Sequence, residues 1–124
     1  MLIITNNSMV KEYYENSYET LFIEGQYREV LVQARDRIHN GHKLLTHPLS
    51  GSIKPGETPY KSLVISKEAG RSLDINSLEL IESAIASHDK FMTKCRYRDS
   101  SVYTEKVLED FKEVDFTLLQ SALN

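Results

Sequence analysis

The chain has 124 residues, of which 40% are hydrophobic and 27% charged, a balance that fits one folded domain and excludes a disordered chain. Fifteen basic against eighteen acidic residues leave a net charge of −3, which excludes the dense basic footprint of a duplex-binding protein. No apolar run approaches the roughly 20 residues of a bilayer-crossing helix, and Met1-Leu2-Ile3-Ile4-Thr5 lacks the basic start of a signal peptide, so a cytoplasmic protein with no membrane partner is expected.

Leu2-Ile3-Ile4 is a short apolar run that stops at Asn6-Asn7-Ser8 and reads as a buried first strand. Asn7 or Ser8 then caps a helix over about 9–15. Leu21-Phe22-Ile23, stopped by Glu24-Gly25, reads as a second strand. Tyr27, Val30, Leu31, Ala34 and Ile38 follow at helical spacing, with Gly41 where a left-handed C-terminal cap belongs, so a helix is expected over 27–40.

Lys43-Leu44-Leu45-Thr46 reads as a third strand, ended by His47-Pro48, and residues 49–59 as a loop rich in Gly, Pro and hydroxyls. Ser62-Leu63-Val64-Ile65 reads as a fourth strand. Asn76 with Glu79 resembles a capping box opening a long helix whose apolar positions are Leu78, Ile81, Ile85, Met92 and Cys95. Beyond the polar break at 98–101, Tyr103, Val107, Phe111, Val114 and Leu118 repeat helical spacing to the end of the chain.

The expected order is therefore β-α-β-α-β-β-α-α, a single α/β domain over 1–124. Alternating strands and helices predict a three-layer fold, with a mostly parallel or mixed sheet of three or four strands and helices on both faces. The fourth strand follows the third without a helix, so the two are free to pair as an antiparallel hairpin.

In such sheets ligands bind beyond the carboxyl ends of the strands. Thr5, Asn6, Asn7, Glu24, Gly25, Thr46 and His47 are expected to share that edge, from which the loop departs. Residues 42–71 carry five cations (Lys43, Lys54, Lys61, Lys67, Arg71) and two anions (Glu57, Glu68), so this stretch is +3 and the remainder −6. That excess suits one small anion or an acidic partner surface; an ordinary solvated loop is the simpler reading. The candidate anion-binding set is Thr5, Asn6, Asn7, His47, Ser50, Gly51, Ser52, Lys54 and Lys61. Leu49, Ile53 and Tyr60 are the candidate anchors for a partner, with Lys54 and Lys61 steering it.

Catalytic motifs are each incomplete. Gly51 and Gly56 have phosphate-loop spacing, but Glu57 replaces the lysine and Pro55 removes a backbone donor. Ser50 and Ser52 lie near His47, yet no nucleophile elbow surrounds them. The four histidines, His39, His42, His47 and His88, lack an evident third metal ligand, and no cofactor is implied. Cys95 lies beside Lys94, Arg96 and Arg98 but also on an apolar helix stripe, where a packed core thiol is the simpler reading. Glu12, Glu15, Glu105 and Glu109 read as solvated helix faces.

The chain resembles the GrdX family. The residues that carry the likeness are Ile4-Thr5-Asn6-Asn7, Arg35-Asp36 with Ile38-His39, the run from Gly41-His42-Lys43-Leu44-Leu45-Thr46-His47-Pro48 through Leu49-Ser50-Gly51-Ser52, and Lys54-Pro55 with Thr58-Pro59-Tyr60-Lys61. Members of the family are small proteins encoded beside the glycine, sarcosine and betaine reductase genes of anaerobic amino-acid-fermenting bacteria. The resemblance implies a setting in reductive amino-acid fermentation, with a component of that reductase complex as the partner, and assigns no catalytic residue.

Three functional readings follow. The first is an accessory protein that binds a partner, a small anion or both. The second is a small enzyme acting on an anionic metabolite at the strand tips, with His47 as acid/base and Lys54 or Lys61 holding the anion. The third is an oligomerising module that associates through its last two helices.

Overall fold

The computed structural model describes residues 1–48, 58–94 and 103–123. Chain order is β1 (Leu2–Thr5), α1 (Ser8–Tyr14), β2 (Glu19–Phe22), α2 (Tyr27–His39), β3 (Ser62–Ile65), α3 (Ile75–Lys94) and α4 (Glu105–Leu123). The sheet order is β2-β1-β3. β1 pairs in parallel with β2, from Leu2 opposite Glu19 to Thr5 opposite Phe22. It pairs antiparallel with β3, from Leu2 opposite Ile65 to Thr5 opposite Ser62. The α/β class holds, and the sheet is mixed.

Burial explains why β1 and β3 read as continuous apolar runs. Leu2, Ile4, Leu63 and Ile65 pack on one face against Val30, Leu31, Ala34 and Ile38 of α2 and Ile81, Ala84 and Ile85 of α3. Ile3 and Val64 pack on the other face against Val10 and Tyr14 of α1 and Leu119 of α4. Strands covered on both faces have no solvent side to alternate towards. The three-layer arrangement with helices on both faces is thus the observed one.

The expected third strand over 43–46 is corrected. Only Leu44 forms a bridge, antiparallel to Ile65. Two ladder bonds are present, Leu45 N–H to Val64 O and Ser66 N–H to Lys43 O, both 2.8 Å. Side-chain hydroxyls take the neighbouring positions: Ser66 Oγ accepts from Lys43 N–H, Ser77 Oγ from Leu44 N–H and Thr46 Oγ1 from Val64 N–H. These side-chain hydroxyls take backbone N–H groups that a ladder would otherwise use and cut the strand short. The observed order is β-α-β-α-β-α-α, and the antiparallel relation expected of the hairpin survives at that bridge.

Helix ends follow the capping rules, with one correction. Asn7 Oδ1 accepts from Met9 N–H and caps α1. At the end of α2, His42 N–H bonds to Arg37 O and Gly41 N–H to Ile38 O, with Gly41 at φ +106°. That is a Schellman cap on the expected glycine. Asp74, and not the Asn76–Glu79 box, caps the start of α3: it accepts from both the N–H and the Oγ–H of Ser77.

α4 carries the second correction. Its sheet-facing side is Asp115 and Leu119, with Phe116 and Leu123 partly buried, whereas Val107, Val114 and Leu118 of the expected stripe are exposed. Among the described residues, no helix is long and apolar enough to cross a membrane.

Candidate functional site

The mixed sheet brings the ends of β1 and β2 beside the start of β3. Asn6 joins all three. Its Nδ2 donates to Gly25 O at 3.1 Å and to Pro59 O at 2.8 Å, while its Oδ1 accepts from Lys61 N–H at 2.9 Å. Thr5 Oγ1 accepts from Asn7 N–H at 2.9 Å and lies 2.7 Å from Ser62 Oγ. Asn7, besides capping α1, donates from Nδ2 to Lys112 O at 2.9 Å and to Asp115 Oδ2 at 3.0 Å. Ser62 Oγ donates to the same Asp115 oxygen at 2.7 Å. These buried polar side chains spend their hydrogen bonds on holding loop, sheet and α4 together.

Three ionisable groups gather beneath this network. Lys61 and Asp115 are buried, and so is Tyr27 at the start of α2. Burial pushes the Asp115 carboxyl up, against the opposing hydrogen bonds of Asn7 and Ser62 and the charge of Lys61. Burial lowers the Lys61 ammonium, partly offset by Asp115. Burial raises the Tyr27 phenol well above its usual range, helped by the Asp115 charge. Tyr27 also stacks on His88, with ring centroids 5.4 Å apart.

Two small cavities flank the Lys61–Asp115 region. One, about 20 Å³, is lined by Tyr27, Thr58, Tyr60, Lys61, Val114, Asp115 and Leu118. The other, of the same volume, includes Thr46, His47, Lys61, Ser62 and Asp115. Each admits about one water-sized group. A wider, open depression of about 320 Å³ lies over Val114 and Leu118, between Glu113 and Thr117. The Lys112 ammonium sits 5.7 Å from the centre of the Tyr60 ring beside it.

The candidates read from the sequence therefore divide. His47 and Lys61 meet at one cavity and Tyr60 lies at the mouth of the other, whereas Thr5, Asn6 and Asn7 are structural ties in their own right. Leu49, Ser50, Gly51, Ser52, Ile53 and Lys54 lie outside the described residues, as does Cys95. His42 Nδ1 is 2.7 Å from Ser66 O. Among the described residues, no group of three or more His, Cys, Asp or Glu is placed to hold a metal ion. Glu12, Glu15, Glu105 and Glu109 are exposed.

Asp115 and the Tyr27 hydroxyl are the residues that the sequence reading missed. Asp115 stands four residues after Phe111 and four before Leu119, so a carboxylate interrupts the apolar side of α4. That interruption was the available signal.

The family model of GrdX-like proteins matches residues 2–124. Neither the curated proteins nor the solved structures gave a match. With its match spanning nearly the whole length, the chain belongs to the GrdX family.

Proposed function

We propose that this GrdX-family protein is a cytoplasmic accessory of a glycine-type reductase system and acts by docking a component of that machinery. The observation that carries the reading is the outer side of α4. Val107, Val114 and Leu118 are exposed there, and the last two line the same cavity as Tyr60. An apolar strip beside an aromatic ring, with Lys112 against that ring and paired with Glu109 at 3.3 Å, is the composition of a contact surface with a charged rim. Lys61, expected to steer a partner, is buried.

The test uses purified components of a glycine-type reductase and the immobilised native protein. Native protein is expected to retain one component, and a Tyr60→Ala/Leu118→Ser variant to retain less of it. Retention of no component removes the proposal, and equal retention by the variant moves the contact elsewhere.

One observation favours the enzymatic reading as a second choice. His47 shares its cavity with Lys61, Ser62 and Asp115, so an acid/base group lies near a cation. It stands second because the cavity, about 20 Å³, is smaller than any metabolite with a reacting centre.

A further inference from the structure

Three polar residues from three parts of the chain face one cavity. Tyr27 at the start of α2, Lys61 before β3 and Asp115 in α4 are 5%, 9% and 8% exposed, and all line the cavity at Tyr60. Buried polar atoms ordinarily find partners. Among the described residues, the Tyr27 hydroxyl and the Lys61 ammonium make no hydrogen bond, while Asp115 accepts from the Asn7 and Ser62 side chains at Oδ2 and from the backbone of Ser62. No fully sealed side-chain polar atom lacks a partner among those residues, so the Tyr27 hydroxyl and the Lys61 ammonium open onto the cavity that Asp115 also lines. The charge of Asp115 acts on both Tyr27 and Lys61, which places the three within electrostatic reach of one another.

Their chemistry defines a complement. Tyr27 and Lys61 are two donors, one of them charged, and suit a carboxylate. The Asp115 carboxylate has acceptor capacity beyond its protein partners and suits a donor on the neighbouring carbon. The inner cavity takes about one oxygen-sized group, so a single carboxylate oxygen enters it and the rest of the polar end stays at its opening. The remainder meets Val114 and Leu118, which line both this cavity and the open depression beside it. We infer that Tyr27, Lys61 and Asp115 form a binding site for a small carboxylate that bears an α-amino or α-hydroxy donor and a short aliphatic body. The inference goes beyond the docking reading and is independent of any reductase component.

The experiment is calorimetry and amide NMR titration of the full chain with four probes. Valine carries every feature, lactate carries a hydroxyl in place of the amine on a one-methyl body, isovalerate lacks the donor and isobutylamine lacks the carboxylate. Valine or lactate, or both, should bind saturably, which tells the amine from the hydroxyl source, and signals of Tyr27, Lys61 and Asp115 should move. Isovalerate should bind about tenfold or more weakly, and isobutylamine not measurably, the scale of lost hydrogen bonds to charged groups. Tyr27→Phe removes one hydroxyl and keeps the stacked ring; it and Lys61→Met should each weaken binding by about tenfold or more. Absence of saturable binding by both valine and lactate overturns the site. So does native affinity in Tyr27→Phe, a readout that stands even where Lys61→Met fails to fold. Equal affinity for isovalerate and valine overturns the assigned ligand class.

Discussion

Ser62 Oγ donates to Asp115 Oδ2 at 2.7 Å, and this bond ties the first residue of β3 to the middle of α4. Asn7 Nδ2 reaches the same oxygen from the tip of β1. Asp115→Ala leaves both donors buried without their acceptor, at a cost of about 1–3 kcal/mol. Asp115→Asn keeps an oxygen in place and should lose less. Chemical denaturation of the two variants against the native protein checks the order.

The pH dependence of Asp115 has a definite sign. Its carboxyl is raised above the ordinary value of 3.8 by burial. The folded state therefore holds this proton more tightly than the unfolded one, and the associated stability is full below pH 3.8 and lost as pH rises through the folded value. Asp115→Asn mimics the protonated form at every pH. Relative to the native protein, the variant should gain melting temperature as pH rises from acid towards neutral; a constant or shrinking difference contradicts the burial account.

Leu118 and Leu119 are neighbours with opposite surroundings. Leu119 is 3% exposed and packs with Ile3, Val10 and Val64, whereas Leu118 is 37% exposed. Leu119→Ala should cost about 2–5 kcal/mol. Leu118→Ala should stay within about 0.5 kcal/mol of native. Thermal unfolding of the pair fixes the rotation of α4; equal losses contradict it.

Gly41 is constrained twice. Its φ of +106° disfavours any side chain, and a Cβ there would lie 2.4 Å from Gly70 O. Gly41→Ala should cost roughly 1–3 kcal/mol. At Gly70 the added Cβ meets Gly41 O at 3.3 Å, so Gly70→Ala should be the milder change by the same unfolding measurement.

Those contrasts show what pattern alone carries. α2 was legible because Tyr27, Val30, Leu31, Ala34 and Ile38 form one stripe and Gly41 ends it, all local information. The segment 43–46 has strand composition, but Ser66 and Ser77 take the N–H groups of Lys43 and Leu44 while its own Thr46 takes Val64 N–H, and partners so far apart in the chain are invisible in a window of ten residues. α4 was misrotated for a related reason. Val107, Phe111, Val114 and Leu118 form a plausible stripe, and only the tie of Asp115 to Asn7 and Ser62 turns the helix so that Leu119 faces in. Of the expected edge, His47 and Lys61 line cavities and Thr5, Asn6 and Asn7 are structural ties; Tyr27 and Asp115 were not legible as neighbours of Lys61 because they meet it only in three dimensions.

The proposed docking of a reductase component on the outer side of α4 is tested most directly by amide hydrogen exchange of the protein, alone and with purified glycine-type reductase components. The account predicts slower exchange in α4 around Val107, Val114 and Leu118 and at Tyr60, with the strands β1 and β3 unchanged. Exchange in α4 that is identical with and without every component contradicts it.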